Sequence, residues 1–295
     1  MKIVYHLGAH CTDDERLLRC LLKNRGLLAE QGIVVPGPTR YRTLLRETAV
    51  ALKGQPASRD TQSLVLDQIL QDDRAERLIL SWDNFLSFAP WAMEGGLYRA
   101  AGERMRAFAL IFPEIEAEFC LALRNPATFL PALFDKQKNA KGGTKDFAAF
   151  LKHRDPHDIR WSDVIDRILE LNPGVPLTIW CDEDTPLIWP EVLLAVSGHS
   201  PQTVLEGTDE LLSQIMSAEG LKRLQAYLDS HAVTTPDLRR KVTTAFLDKF
   251  AVPDRINIEV EVPEWTAALV DSMTLAYEQD VAHIRATPGV TFIDP

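Results

Sequence analysis

The chain has 295 residues, of which 46% are hydrophobic and 25% charged, and its formal net charge is −10. This balance is typical of a globular chain with a large core, and the negative charge disfavours contact with nucleic acid or anionic membranes. The sequence has no apolar run of roughly 18 residues, as a membrane span needs, and its start lacks a signal-peptide pattern. We therefore expect a cytoplasmic protein with no nucleic-acid or membrane partner.

Strands and helices alternate through the first part of the sequence. The apolar run 2–7 stops at Gly8 and precedes leucines at helical spacing, which predicts a strand, a loop and a helix. Continuous apolar runs bounded by turn residues predict further strands within 31–38, 76–85, 116–126 and 176–184. Helical patterns cover 39–53, 59–73, 97–111, the region of Phe129 to Phe134, 146–153 and 161–171.

This alternation predicts an α/β fold with a mainly parallel, doubly wound sheet. Beyond Pro190 the patterns are helical, at 209–230, 236–250 and 264–286, before a short final segment, VTFI. We expect a single domain over 1–295, in which an α/β core, 1–190, carries a mostly helical C-terminal extension, 191–295, packed on it.

In sheets of this kind the ligand crevice lies beyond the carboxyl ends of the strands. Four segments follow predicted strands in this way, namely Gly8–Glu15, Trp82–Asn84, Arg124–Pro126 and Cys181–Asp184. We expect these segments to border any binding or catalytic site.

The first of these segments ends in three consecutive acids, Asp13, Asp14 and Glu15, at the start of a predicted helix. Helix N-termini bind anions through their unpaired amides, but carboxylates placed there can cap the same amides. A phosphate about 7 Å from a carboxylate meets repulsion of roughly 2 kcal/mol per charge pair at an effective dielectric near 20. The cluster therefore disfavours a nucleotide, and its simplest interpretation is a well-capped helix start.

Two stretches resemble signatures of one enzyme superfamily. The opening YHLGAHCTDDERLLRCLLKNRGLLAEQGIVVPGP is similar to the first strand, phosphate loop and first helix of the sulfotransferases, particularly their bacterial carbohydrate-sulfotransferase-like branch. The matching positions are Gly8, Thr12, Asn24, Leu28, Gly32, Ile33 and Pro36. The stretch LALRNPATFLPALFDKQ resembles the second signature through Arg124 and Pro126, and weaker likenesses in order and spacing cover most of the chain.

The resemblance implies a sheet of the P-loop (sulfotransferase-like) type and 3′-phosphoadenosine 5′-phosphosulfate as cofactor. It places Asp83 where a catalytic group would accept a proton from a hydroxyl of a carbohydrate or other small acceptor. The positions that would hold the cofactor are Gly8, Ala9, His10, Cys11, Thr12 and Arg124.

The sequence departs from the family where the phosphate contacts lie. Cys11 stands at the position of the loop lysine, Asp13, Asp14 and Glu15 replace Gly-Thr-Thr, and Ala132 replaces the serine that would hold the 3′-phosphate. One hypothesis is therefore a degenerate family member that binds a small molecule, a carbohydrate or a protein and takes no nucleotide. The alternative is an active sulfotransferase with an unusual loop.

The sequence allows two interpretations for each of several candidate site residues. Asp83 is either a general base or a turn residue, and Arg124 either grips a phosphate bidentately or pairs with a nearby acid. The basic segment from Lys136 to Lys145 is either a flexible lid over an anion or a solvated loop.

Two places in the sequence carry residue types that can bind a metal ion. His6, His10, Cys11 and Asp13 offer ligands suited to zinc but have no recognised ligand spacing. The acids that follow Cys181 could hold a hard cation, although adjacent acids more often cap the next turn. We predict no metal site at either place.

Overall fold

One parallel sheet forms the centre of the molecule. The computed structural model describes residues 1–71, 74–138, 140, 143–231, 233, 235–256, 262 and 265–295. Within them the six strands of the sheet are β1 (Lys2–His6), β2 (Ile33–Val34), β3 (Arg77–Ser81), β4 (Glu116–Leu123), β5 (Leu177–Cys181) and β6 (Val290–Ile293). The order across the sheet is β2-β3-β1-β4-β5-β6, and every pairing is parallel.

Helices connect the strands and make up most of the chain after β5. The α-helices are α1 (Arg16–Lys23), α2 (Arg25–Ala29), α3 (Arg42–Leu52), α4 (Arg59–Leu70), α5 (Ala101–Ala109), α6 (Pro126–Lys138), α7 (Phe147–Phe150), α8 (Ser162–Leu171), α9 (Thr185–Ser197), α10 (Glu210–Ile215), α11 (Ala218–Ser230), α12 (Pro236–Phe250), α13 (Pro253–Ile256) and α14 (Ala267–Arg285). Short 3₁₀ helices lie at Pro38–Arg40, Ala89–Trp91, Pro156–Asp158 and Asp182–Asp184.

Both faces of the sheet are covered, as the continuous apolar strands predict. In β1, Ile3 and Tyr5 belong to one apolar cluster and Val4 to another, because successive side chains point to opposite faces. Helices α3, α4, α5, α6, α8 and α14 contribute to the larger cluster, and α1, α2 and α9 to the smaller. The prediction of a mainly parallel α/β sheet is confirmed.

The direction of the connections reverses around β1. The chain leaves β1 for β2 on one side, whereas the connection that follows β3 passes to β4 on the other side. Parallel sheets form a ligand crevice beyond the carboxyl ends at such a point. The residues that follow β1, β3 and β4 therefore border the crevice.

The structure differs from the sequence expectation around residue 190 and at the last strand. Helix α9 runs through that boundary without a break, and β6 pairs with β5 as the edge of the sheet. The final segment therefore belongs to the α/β layer, and α10–α13 form a helical addition to it in the part of the chain that the structure describes.

Two predicted helices are each divided in two. Asn24 separates α1 from α2, and its side-chain amide donates to the carbonyl oxygens of Cys20 and Glu206 at 2.8 and 2.9 Å. Ser217 separates α10 from α11, and its hydroxyl accepts a hydrogen bond from Gly220 N at 3.2 Å. In both places a short polar side chain bonds to the backbone and so competes with helix continuation.

Helices α10, α11 and α12 share a small apolar cluster around Leu212, Met216 and Leu224. An ion pair joins this group to the core, since Arg240 on α12 lies 2.7 Å from Glu191 on α9. Among the helices of the described residues, none is both long enough and apolar enough to span a membrane.

Candidate functional site

Two adjoining cavities lie beyond the carboxyl ends of the strands. The first, here the loop cavity, has a volume of about 240 Å³ and is lined by His6, Gly8, Ala9, Cys11, Asp13, Asp14, Glu15, Arg42, Ser81, Asp83 and Lys136. The second, here the outer groove, has a volume of about 770 Å³ and includes Thr12, Asp13, Asp14, Arg16, Arg124, Thr128, Asp182, Glu183, Leu187 and Arg255. The loop between β1 and α1 separates them.

The structure brings most of the expected site residues to these two cavities. Gly8, Ala9, Cys11 and Asp83 line the loop cavity, whereas Thr12 and Arg124 line the outer groove. The expected positions therefore gather around one loop, but on its two sides.

His10 is the exception, because it lines neither cavity and is fully buried. Its Nδ1 lies 2.6 Å from the Tyr98 hydroxyl, and its Nε2 lies 3.3 Å from Asn84 Oδ1. Burial lowers the pKa of His10 to about 4, so the ring is neutral at pH 7. These contacts suit a residue that fixes the loop to the core. The position of His10 in the sequence does not reveal this role.

The loop itself depends on Gly8. This residue has a φ of +91°, and a Cβ built on it would lie 3.2 Å from the Asp83 Cα. A side chain at this position would therefore strain the backbone and crowd the turn that follows β3. Farther along the loop, the Thr12 hydroxyl donates to the carbonyl oxygen of Ala9 at 2.9 Å.

Asp13, the first residue of the acidic cluster, caps the first turn of α1, as its position before the helix predicts. Asp13 Oδ2 accepts a hydrogen bond from Leu17 N at 2.9 Å, and the Asp13 carbonyl accepts one from Arg16 N at 2.9 Å. Glu15 forms an ion pair with Arg42 at 2.6 Å, and Asp14 lies 3.6 Å from Arg16. A first-turn amide that could bind an anion is thus bonded to the chain's own carboxylate.

Lys136 enters the loop cavity from α6 and lies 2.6 Å from Asp83 Oδ2. Burial alone would raise the pKa of Asp83, but His10, Lys136 and Arg42 together hold it below its usual value. The sequence predicts a flexible segment from Lys136 to Lys145. This prediction is wrong for Lys136 and Lys138, because α6 continues to Lys138 and holds both lysines on a helix. Lys141 and Gly142 lie outside the described residues.

Arg124 is held by two hydrogen bonds within the chain, and its role in gripping a phosphate stays a prediction. Its Nη1 donates to the carbonyl oxygen of Cys11, and its Nε donates to Thr128 Oγ1 at 3.1 Å. No ion pair with an acid is found for it in the described part of the chain. The guanidinium braces the loop from the side of the outer groove, so two of its donor groups are already bonded.

Among the acids beyond β5, Glu183 bonds the backbone at the start of the helix that follows β4. Glu183 Oε1 accepts a hydrogen bond from Asn125 N at 2.7 Å, and its Oε2 accepts one from the Tyr277 hydroxyl at 3.2 Å. Asn125 Oδ1 in turn accepts from Ala127 N at 3.0 Å. Beside them Asp182 lines the outer groove, and burial, followed by the charge of Glu183, raises its pKa to about 7.

Three of the four residues that offer zinc ligands in the sequence, His6, His10 and Asp13, bond to other groups of the chain. His6 Nδ1 lies 2.9 Å from Ser81 Oγ, and burial raises the pKa of Cys11 to about 11, which disfavours the thiolate that zinc needs. Within the described ranges no group of three or more His, Cys, Asp or Glu side chains is arranged to hold a metal ion.

Three contacts around the two cavities carry no signal in the sequence. Each joins two residues that lie far apart in the chain, namely Lys136 with Asp83, Arg42 with Glu15 and Glu183 with Asn125.

Comparison with known proteins adds no assignment, since no family model, no curated protein and no solved structure matches the chain.

Proposed function

We propose that this chain is a P-loop, sulfotransferase-like protein whose own side chains close its nucleotide site, and that it binds a small molecule, a carbohydrate or a protein. The observation that carries the proposal is the hydrogen bond from Leu17 N to Asp13 Oδ2 at 2.9 Å. In a phosphate-binding loop the first amides of the helix face the anion. Here the Asp13 carboxylate already accepts the hydrogen bond of one of these amides.

The remaining basic groups support the same proposal. Arg124 donates to Cys11 O and Thr128 Oγ1, and Lys136 pairs with Asp83. A bound phosphate or sulfate would have to displace these internal partners before it gained a contact.

The charges around the loop cavity also oppose an anion. Asp13, Asp14, Glu15 and Asp83 face Arg42 and Lys136, so four carboxylates oppose two bases. An anionic nucleotide would enter a cavity whose formal charge is already negative. A neutral or cationic ligand would not meet this repulsion.

A second candidate, an active sulfotransferase that uses 3′-phosphoadenosine 5′-phosphosulfate, has two supporting observations. Lys136 Nζ lies in the loop cavity with Cys11, the residue at the position of the family's lysine. No acceptor within the described residues bonds the amides of 11–15. In this alternative Lys136 would leave Asp83 for the cofactor, and the freed Asp83 would act as the base.

Calorimetric titration with 3′-phosphoadenosine 5′-phosphate separates the two candidates. We expect no heat of binding at millimolar nucleotide for the wild-type protein. The comparison variants are Arg124→Ala, in the outer groove, and Arg59→Ala, an exposed arginine paired with Glu114. Micromolar binding that Arg124→Ala abolishes and Arg59→Ala retains would overturn the proposal in favour of the active enzyme.

A further inference from the structure

A third cavity, here the arginine cavity, shares no residue with the loop cavity or the outer groove. It has a volume of about 120 Å³, and its wall includes four arginines and two acids, namely Arg99, Arg154, Arg160, Arg167, Asp158 and Asp163. Four positive and two negative side chains leave this wall with two surplus positive charges, whereas the whole chain carries −10. The sign of charge is therefore reversed at this place.

The arginines of this cavity lack counter-ions. None of the four forms an ion pair with an acid among the described residues, although nine other ion pairs there involve arginine. Burial lowers the pKa of Arg167, the carboxylates of Asp163 and Asp166 oppose that shift, and the charge of Arg99 adds to it. Guanidinium groups gathered with too few acids repel one another, and a bound anion would relieve that repulsion.

Contacts with the backbone hold these guanidinium groups in place. Arg167 Nη2 donates to the carbonyl oxygen of Leu97 at 2.7 Å, and Arg160 Nη1 donates to carbonyl oxygens of its own segment. Gly95, also in the wall, has a φ of +70°, and a Cβ built on it would lie 2.9 Å from Arg99 Nη1. Because a guanidinium has five N–H donors, each of these arginines keeps donors for a ligand.

The turn that carries Arg154 is strained. Lys152 and His153 both have a φ of +56°, in the left-handed region that costs free energy for residues other than glycine. Lys152 also pairs with Glu94 at 3.0 Å, which joins this turn to the one that contains Gly95. Backbone strain that persists against its cost is concentrated at functional sites.

We propose that the arginine cavity binds a compact oxyanion with two negative charges, either an inorganic oxyanion or a short dicarboxylate. The planar fork of a guanidinium matches the paired oxygens of such groups. A dianion would balance the two surplus charges of the wall. The volume of about 120 Å³ equals roughly four water molecules at liquid density, which suits an ion of this size and is too small for a nucleoside.

The arginine cavity goes beyond the proposed function and is independent of it, because the two depend on different residues. The titration with 3′-phosphoadenosine 5′-phosphate and Arg124→Ala concerns the loop and the outer groove. Loss of either proposal therefore leaves the other standing.

Calorimetric titration of the full chain with sodium malonate, sodium sulfate and sodium acetate, at constant ionic strength, tests the site. We expect at least one of the two dianions to bind with a Kd below about 1 mM. Acetate, which carries one charge, should bind at least about tenfold more weakly. Binding of malonate alone would identify a dicarboxylate as the ligand, and binding of sulfate alone an inorganic oxyanion. No heat from either dianion, or acetate binding as tight as theirs, overturns the proposal.

Two arginine variants locate the binding. Arg99→Gln removes one charge from the wall and should weaken binding of the dianion about tenfold. Arg106→Gln removes the same charge from an exposed position on α5, outside the cavity, and should bind like the wild type. If Arg99→Gln does not fold by circular dichroism, Arg154→Gln replaces it with the same expected direction. Equal affinities for the cavity variant and Arg106→Gln would refute the site.

An acid variant tests the sign of the effect. Asp163→Asn removes a negative charge from the wall and should strengthen binding of the dianion about threefold. Asp60→Asn is the matched variant, since Asp163 and Asp60 each lie in the first turn of an α-helix, and it should leave the affinity unchanged. A dianion that binds Asp163→Asn no more tightly than the wild type does not occupy the arginine cavity, and the proposal fails.

Discussion

Helices α1 and α6 both begin beyond the carboxyl end of a strand, α1 after β1 and α6 after β4, yet their first amides are satisfied in different ways. At α1 the carboxylate of Asp13 bonds the amide of Leu17, four residues away in sequence. At the start of α6 the side chain of Asn125 bonds the amide of Ala127, and the carboxylate of Glu183, 58 residues away, bonds the amide of Asn125 itself. The start of α1 depends on its own sequence, whereas the start of α6 combines a local cap with a hydrogen bond to a residue beyond β5.

This difference has an energetic meaning. A local cap can form in an isolated helix, so its loss affects mainly one turn. A cap supplied by a distant residue also fixes the position of that residue and of everything bonded to it, here the Tyr277 hydroxyl of α14. The two helix starts should therefore respond unequally to loss of the carboxylate.

The largest effect is expected at the distant cap. Glu183→Ala removes the acceptor of Asn125 N and of the Tyr277 hydroxyl, and Tyr277 is 8% exposed. We expect the free energy of unfolding in urea to fall by about 3 kcal/mol, because two donors lose their partner. Glu183→Gln retains one carbonyl acceptor and should lose less, and Glu170→Ala, at an exposed site on α8, should change little. Equal losses for Glu183→Ala and Glu170→Ala would show that α6 needs no distant cap.

An intermediate effect is expected from the neighbouring acid and depends on pH. Asp182 has a folded-state pKa of about 7 because of burial, whereas an unfolded aspartate titrates near pH 4. Between these values the folded chain holds a proton that the unfolded chain has released, so stability decreases as pH rises through the window. Asp182→Asn has no carboxyl to titrate at this position and so lacks this loss. As pH rises from 5 to 8, its free energy of unfolding should increase by about 2 kcal/mol relative to that of the wild type.

Thermal and urea unfolding at both pH values would measure this gain. Asp166→Asn, at an exposed position of α8, is the matched variant and should follow the wild type. A constant difference between Asp182→Asn and the wild type at the two pH values contradicts the assignment of a raised pKa to this carboxyl.

The smallest effect is expected at the local cap. Asp13→Ala removes a single hydrogen bond at the start of α1 and should cost about 1 kcal/mol in urea unfolding. Asp13→Asn, which keeps an acceptor oxygen, should cost less. A loss as large as that of Glu183→Ala would mean that the loop, and with it both cavities, depends on this carboxylate.

The fold could largely be read from the sequence because its signals are local. The buried strands β1, β3, β4 and β5 are continuous apolar runs, and the alternation with helices predicts parallel pairing. The cap at Asp13 follows from the same kind of local pattern. The breaks at Asn24 and Ser217 do not follow from the pattern, because apolar spacing on both sides of each continues the helical period.

The candidate site could be placed but not described from the sequence. Strand ends identify Gly8, Asp83 and Arg124 as neighbours of a crevice. Which side of the loop each side chain faces depends on tertiary packing, as does the arrival of Lys136 from α6. The unpaired His6 Nε2 is likewise invisible in sequence, since it results from the fit of β1 against β3 and β5.

The edge strand β6 has a consequence for how the molecule assembles. Its partner β5 ends at residue 181 and β6 begins at residue 290, so the whole of α9 to α14 lies in the loop that their pairing closes. Closing a long loop costs chain entropy that only later contacts repay, and such non-local pairing slows folding. We therefore expect this edge to join the sheet last during folding and to detach first in native-state fluctuations, while the β1, β3 and β4 strands that border the cavities stay paired.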